Sequence, residues 1–196
     1  MSCSPRRLKI VMFGDDRVGK SAFMHRYARR EFRAKYEPST RPELYTIEIQ
    51  FDKALVIFDI WDVTPGIPSD DLVRESEGAI LMFDLQRPST YESIPRYYTN
   101  MLPIFNCNDR LPIPVVMFGN KVDYIQRKVK PQTITYHREK GLQYYDFSVR
   151  CLYNFEKPLQ FLARILGDPY LEYVALPDVG EKLEMEKYGK YYALSL

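Results

Sequence analysis

The sequence predicts an α/β fold: a six-stranded, mostly parallel sheet with one antiparallel edge hairpin strand and helices on both faces. Three observations lead there. Short apolar runs alternate with helical stretches along 196 residues, enough for one domain of ordinary size with a real core. Two of the runs, GAILMFD at 78–84 and PVVMFG at 114–119, are apolar almost throughout, as strands buried on both faces must be. The first run, 8–13, passes into a glycine loop and then into a stretch of helical composition at 21–30.

The remaining elements follow in order. Residues 43–50 alternate, with Tyr45, Ile47 and Ile49 on one face and Leu44, Thr46 and Glu48 on the other. With 54–61 they form a hairpin across Phe51, Asp52 and Lys53. Strands at 78–84, 114–119 and 143–148 complete the sheet. Helices are expected at 91–102, 132–140 and 154–166, the last carrying Leu159, Leu162, Ala163 and Leu166 at helical spacing. Residues 168–196 read as a polar, tyrosine-rich tail, with a short helix near 181–192 that Gly189 weakens. The expected division is one domain over 6–170 and a tail over 171–196.

Composition excludes several classes. A net charge of +2 is too balanced to argue for a nucleic acid or an acidic membrane surface. Cys3, Cys107 and Cys151 show no CxxC spacing, which argues against a disulfide framework or a structural zinc site and fits a reducing compartment. The apolar run after the basic start is too short for a signal sequence, and no stretch reaches the length of a membrane span. The end YYALSL lacks a prenylated cysteine and Met1-Ser2 lacks the glycine of a myristoylation signal, so no membrane anchor is expected.

The chemistry concentrates in a few short motifs. GDDRVGKS, from Gly14 through Asp15, Asp16, Arg17, Val18 and Gly19 to Lys20 and Ser21, has the frame of a phosphate-binding loop. Glycines let the backbone approach an anion, Lys20 supplies charge for the β- and γ-phosphates, and Ser21 offers a hydroxyl to Mg²⁺. The alternative is a surface turn with an N-capping serine. About a hundred residues on, Asn120-Lys121-Val122-Asp123 follows a buried strand. A carboxylate there can accept the N1–H and the exocyclic amine of guanine, a pairing adenine does not offer; read alone, the motif is also compatible with a polar turn. Ser148 and Val149 lie in FSVR at 147–150, following the sixth strand, where a backbone N–H can reach the guanine O6 or the segment is an ordinary strand end. Asp62, at the end of the hairpin, is either a carboxylate holding a water on Mg²⁺ or a solvated loop aspartate. In YEPST, Ser39 and Thr40 both qualify chemically as a further Mg²⁺ hydroxyl.

Through GDDRVGKS, YEPST, WD and GNKVD the chain resembles small GTPases of the Ras superfamily. It is most similar to the Ran family through EFRAKY at 31–36, GNKVDYIQRKVK at 119–130, HREKGLQYYDFS at 137–148, YNFEKP at 153–158 and GDPYLEYVALP at 167–177. The resemblance covers about residues 8–177. It implies a three-layer P-loop NTPase (small GTPase) fold, bound GTP or GDP, and Mg²⁺. It also implies that Asn120 and Asp123 recognise guanine while Lys121 lies along the base. Ser148 and Val149 would complete the pocket, and Phe32 lies in the stretch that covers the base. Ungapped spacing from Lys20 to Trp61 puts Ser39, not Thr40, at the Mg²⁺ position. The expected partners are nuclear transport receptors of the importin and exportin kind and an exchange factor. The expected form is a monomer in nucleus and cytoplasm, with no nucleic acid and no membrane partner.

The departures from that pattern bear on hydrolysis. Family members carry DxxGQ where this chain has Asp62-Val63-Thr64-Pro65-Gly66-Ile67, so no glutamine follows the glycine and no catalytic residue is assigned; Gly66 and Ile67 lie near its place. The segment between Trp61 and Asp84 is about four residues short, and about five extra residues fall within 100–114. Asp16 and Arg17 stand where the Ran family has two glycines. Arg17 either folds back on a phosphate or a neighbouring carboxylate or, the favoured reading, points to solvent. The tail EKLEMEKYGKYYALSL has mixed charge where the Ran family is acidic, and HREK contains an acid within a basic stretch. The expected protein is a Ran-like switch with slow hydrolysis. The alternatives are a pseudo-GTPase binding module that does not cycle and, disfavoured by NKVD and the lack of an acceptor lid, a P-loop kinase.

Overall fold

The computed structural model describes residues 5–33, 41–63, 73–105, 113–175 and 178–180. The strands are β1 (Arg6–Phe13), β2 (Glu43–Gln50), β3 (Leu55–Asp62), β4 (Gly78–Asp84), β5 (Val115–Asn120) and β6 (Gln143–Asp146). They form one six-stranded sheet in the order β2-β3-β1-β4-β5-β6. Only β2 runs antiparallel, to β3, while β1–β3, β1–β4, β4–β5 and β5–β6 pair parallel. This is the mixed α/β sheet that the alternating elements predict, and it is consistent with the P-loop small-GTPase fold that the resemblance implies.

Period-two alternation decides which side chains enter which layer. Along β1, Leu8, Ile10 and Met12 face one core cluster with Phe23, Phe118, Phe147 and Leu159. Val11 and Phe13 face a second cluster with Leu81, Tyr97, Met101 and Met117. Every residue of β4 and β5 is buried, whereas β2 buries only alternate residues, those of the one face that packs on the core. Each large aliphatic side chain so enclosed stabilises the fold by about 1.5–3 kcal/mol.

The helices are α1 (Lys20–Arg29), α2 (Pro88–Glu92), α3 (Ile94–Phe105), α4 (Tyr136–Lys140) and α5 (Lys157–Leu166). Their bounds differ from the sequence expectation for local reasons. The helix expected from 154 starts at Lys157, since Leu152 and Asn154 sit at φ 59° and 52°, outside the helical region. The stretch expected at 91–102 starts earlier, with Pro88 in the first turn, and is two helices broken at Ser93. In place of one helix at 132–140 there is a 3₁₀ turn, Pro131–Thr133, and then α4, which stops on Gly141 at φ 64°. β6 ends at Asp146 rather than 148 because the chain turns, with the Ser148 N–H donating to the Tyr153 carbonyl at 3.1 Å.

Beyond α5 the chain returns to the sheet. Leu171 is buried, the Tyr173 ring stacks on Phe51 at 4.8 Å, and the Asp52 N–H donates to the Glu172 carbonyl at 2.8 Å. Val179 is also buried against this core. The expected tail helix at 181–192 lies outside the described residues. Among the described residues no helix is long and apolar enough to cross a membrane.

Candidate nucleotide-binding site

Parallel strands deliver their C-terminal ends to one edge of the sheet, and an α/β sheet presents its ligand crevice there. β1 ends at the loop Gly14–Ser21, β3 at Asp62, β4 at Asp84, β5 at Asn120, and β6 just before Ser148. The phosphate loop, Asp62, the NKVD turn and Ser148, spread over more than a hundred positions, meet at this edge.

The loop is built by its glycines and by one residue that is not glycine. Gly14 takes φ 152° and Gly19 φ 110°, and a Cβ on Gly14 would lie 2.2 Å from the Met82 carbonyl oxygen. Arg17 takes φ 60°, a left-handed conformation that a side chain makes costly. Val18 is buried, while Asp16 and Arg17 are exposed. Lys20 is nearly enclosed and donates from Nζ to the Gly14 carbonyl at 2.9 Å and the Asp15 carbonyl at 3.3 Å. Burial lowers its pKa below the usual lysine range, against the opposing pull of Asp62, Asp16 and Asp15. The Asp15 carboxylate is directed to the start of α3, where Ser93 Oγ, at the break before the helix, and Tyr97 Oη, within it, each donate to it at 2.8 Å.

Beside the lysine, Ser21 Oγ donates to Asp62 Oδ2 at 2.6 Å. Burial raises the Asp62 pKa, while Lys20 and the Ser21 hydroxyl hold it down. A hydroxyl and a carboxylate side by side, both hard oxygen donors, suit Mg²⁺. Ser39 and Thr40, like Gly66 and Ile67, lie outside the described residues, as does most of the inserted stretch near 106–112.

At the other end of the crevice, Asn120 and Asp123 are buried. Asn120 Nδ2 donates to the Val18 carbonyl at 2.7 Å, and its Oδ1 accepts from the Lys121 N–H at 2.7 Å and the Val149 N–H at 3.2 Å. Asp123 Oδ1 accepts from Ser148 Oγ at 2.6 Å. Its Oδ2 is buried with no hydrogen bond, the Arg150 guanidinium standing 3.9 Å away. A buried carboxylate oxygen without a donor is costly, so this atom fits a ligand that brings an N–H. Lys121, at φ 67°, donates from Nζ to the Arg17 carbonyl at 2.9 Å and to Asp84 Oδ2 at 2.7 Å. Its stem therefore crosses from the NKVD turn to the phosphate loop. Phe32 packs under Arg26, whose Cζ is 5.2 Å from the ring centre.

Three contributors escape the motif reading. Arg26, 1% exposed, donates to the carbonyls of Val149 at 3.1 Å and Arg150 at 2.8 Å, tying α1 to the turn that carries Ser148. Its one sequence signal is a cation on the face that also carries Phe23. Asp84 anchors Lys121 and Arg87, and a carboxylate closing an otherwise apolar strand was the available clue. Arg87 itself sits in a polar turn and gives no sequence signal.

Fold and crevice together define a P-loop protein of the small-GTPase class, with a phosphate loop, a Mg²⁺-suited pair and a buried carboxylate oxygen that accepts no hydrogen bond along one sheet edge. Comparison with known families agrees: the Ras family model matches residues 9–167. The chain belongs to the Ras family, whose members are GTP-binding switch proteins that hold guanine nucleotide with Mg²⁺.

Proposed function

We propose that this chain is a Ran-like GTP/GDP-binding switch of nucleocytoplasmic transport, Mg²⁺-dependent and slow to hydrolyse GTP. The observation that carries the nucleotide reading is the Asp123 carboxylate, one oxygen held by Ser148 and the other buried without a hydrogen bond. A guanine N–H meets that need, and charge-assisted bonding to a carboxylate is both strong and directional. Asn120 joins the base-side turn to the phosphate loop, and Lys20 sets a cation beside the loop carbonyls. Ser21 and Asp62, with Ser39, are the residues that would hold Mg²⁺, whose charge offsets that of the phosphate oxygens.

The finer parts of the reading rest on sequence. Transport receptors, an exchange factor and residence in nucleus and cytoplasm are proposed from GNKVDYIQRKVK, HREKGLQYYDFS and GDPYLEYVALP. Slow hydrolysis is proposed from the missing glutamine near Gly66 and Ile67 and from Asp16 and Arg17 in the loop. Native purification followed by chromatography of the released nucleotide tests the first part: guanine nucleotide is expected. A chain with none, and no uptake of added GTP or GDP, would instead be a binding module that keeps the fold without cycling. A single-turnover assay with a GTPase-activating protein tests the second, where family-typical acceleration would sink it.

A further inference from the structure

A phosphate-binding loop works only if its N–H groups face the anion, so its carbonyls must be held facing away. A trans peptide points its C=O and the following N–H in opposite directions. Fixing the Asp16 carbonyl therefore orients the Arg17 N–H, and fixing the Arg17 carbonyl orients the Val18 N–H. Both carbonyls are fixed here, each by a cation. Arg87 Nη2 donates to the Asp16 carbonyl at 2.5 Å and Lys121 Nζ to the Arg17 carbonyl at 2.9 Å.

The two cations share one buried anchor. Asp84 Oδ2 accepts from Arg87 Nε at 2.9 Å and from Lys121 Nζ at 2.7 Å. Asp84 Oδ1 accepts from the Gln86 N–H at 2.8 Å, and Asp84 is 1% exposed. Thr90 Oγ1 accepts from the Asp84 N–H at 2.9 Å and donates to the Arg87 carbonyl at 2.7 Å, so the turn carrying Arg87 is itself braced. The clamp closes on the part of the loop where Arg17 takes φ 60° without being glycine, a conformation that persists only when its surroundings hold it.

We propose that Arg87 is a positioning residue of the phosphate loop, gripping the Asp16 carbonyl from its Asp84 anchor so that the loop N–H groups stay turned toward a nucleotide's phosphates. The inference rests on the guanine-nucleotide reading above and deepens it. Arg87 acts on the phosphate end of the ligand and leaves the guanine end, at Asp123, alone.

The test compares GDP with guanosine on the full chain. Arg87→Ala is expected to weaken GDP binding about tenfold, the scale of one charge-assisted hydrogen bond, and to leave guanosine affinity unchanged. Arg87→Lys is expected to recover part of the loss, and melting temperature checks that the variants are folded. Where Arg87→Ala does not fold, Arg87→Gln, which keeps two of the three methylenes and loses the charge, is read in its place. Equal loss for GDP and guanosine would mean a general structural role and overturn the proposal, as would no loss for either. A wild-type chain that binds neither ligand overturns the nucleotide reading itself, and that result is distinct because no variant is needed to see it.

Discussion

Asn120 donates from Nδ2 to the carbonyl of Val18, 2.7 Å away and 102 positions earlier in the chain. The same amide accepts the Val149 N–H on Oδ1. One buried side chain therefore spans the phosphate loop, the NKVD turn and the turn that carries Ser148, setting the distance between the phosphate and base ends of the crevice. A Cβ on Gly19 would lie 2.2 Å from Asn120 Nδ2, so the bridge also requires a glycine at that position.

Asn120→Ala removes a buried partner from the Val18 carbonyl and the Val149 N–H. Stranded buried groups cost about 1–3 kcal/mol each, and relaxation recovers part of that. The expected loss of stability is about 2 kcal/mol in denaturant unfolding, with guanine-nucleotide binding weakened further because both ends of the crevice lose their spacer. Unchanged stability would mean that the bridge is replaced by solvent.

Asp123→Asn changes an acceptor into a mixed donor and acceptor. The Ser148 hydroxyl can still donate to the remaining oxygen, so folding should hold. The atom at the place of Oδ2 becomes an amide donor that faces the donors of guanine. Affinity for GDP is expected to fall by at least about a hundredfold, while xanthosine diphosphate, which carries a carbonyl in place of the exocyclic amine, is expected to gain. Competition between the two nucleotides measured by displacement of a fluorescent analogue checks both directions.

The two predictions concern residues that the sequence itself marks. Lys20, Ser21, Asn120 and Asp123 lie in contiguous motifs because each must stand at the end of a particular strand, and an apolar run followed by polar residues signals that place. Arg26, Asp84 and Arg87 were not legible, because their roles depend on what the fold brings to them. Arg26 meets the Val149 carbonyl across 123 positions, and nothing in its neighbours records that. The late start of α5 was hidden for a different reason: Asn154 at φ 52° is a backbone choice that residue type only weakly favours. β4 and β5 were legible because burial on both faces leaves an apolar run, and β2 because burial of one face leaves an alternation, whereas the order β2-β3-β1-β4-β5-β6 is set by pairings between strands far apart in the chain.

The Ser21 hydroxyl and the Asp62 carboxylate, 2.6 Å apart, predict how nucleotide release depends on the metal. If this pair holds Mg²⁺, removing the ion with EDTA should speed GDP release from the wild-type chain by about tenfold or more. Ser21→Ala should release GDP at close to that faster rate with Mg²⁺ present, and EDTA should then add little. A variant that still responds fully to EDTA would place the ion elsewhere.

His25 gives the fold a defined response to acid. Its Nε2 lies 3.2 Å from the Tyr45 hydroxyl, which itself donates to Glu43 at 2.7 Å. Burial, followed by the neighbouring charges of Arg29 and Arg33, lowers its pKa below 6.5, and the opposing pull of Glu43 and Glu31 is smaller. Burial and Arg138 lower His137 in the same direction. Below pH 6.5 the unfolded chain therefore takes up these protons before the folded one does, and stability falls as pH drops from 6.5 through the lowered folded values. Well above pH 6.5 both histidines are neutral in both states and the contribution is flat. His25→Gln, which keeps a hydrogen-bonding group beside Tyr45, should remove His25's share of that slope and leave His137's. Denaturant midpoints measured from pH 7.5 down to about pH 5 check this: the variant's curve should be shallower than the wild type's, whereas an equal slope would show that His25 binds protons alike in both states and a steeper one that it gains protons on folding, and either overturns the prediction.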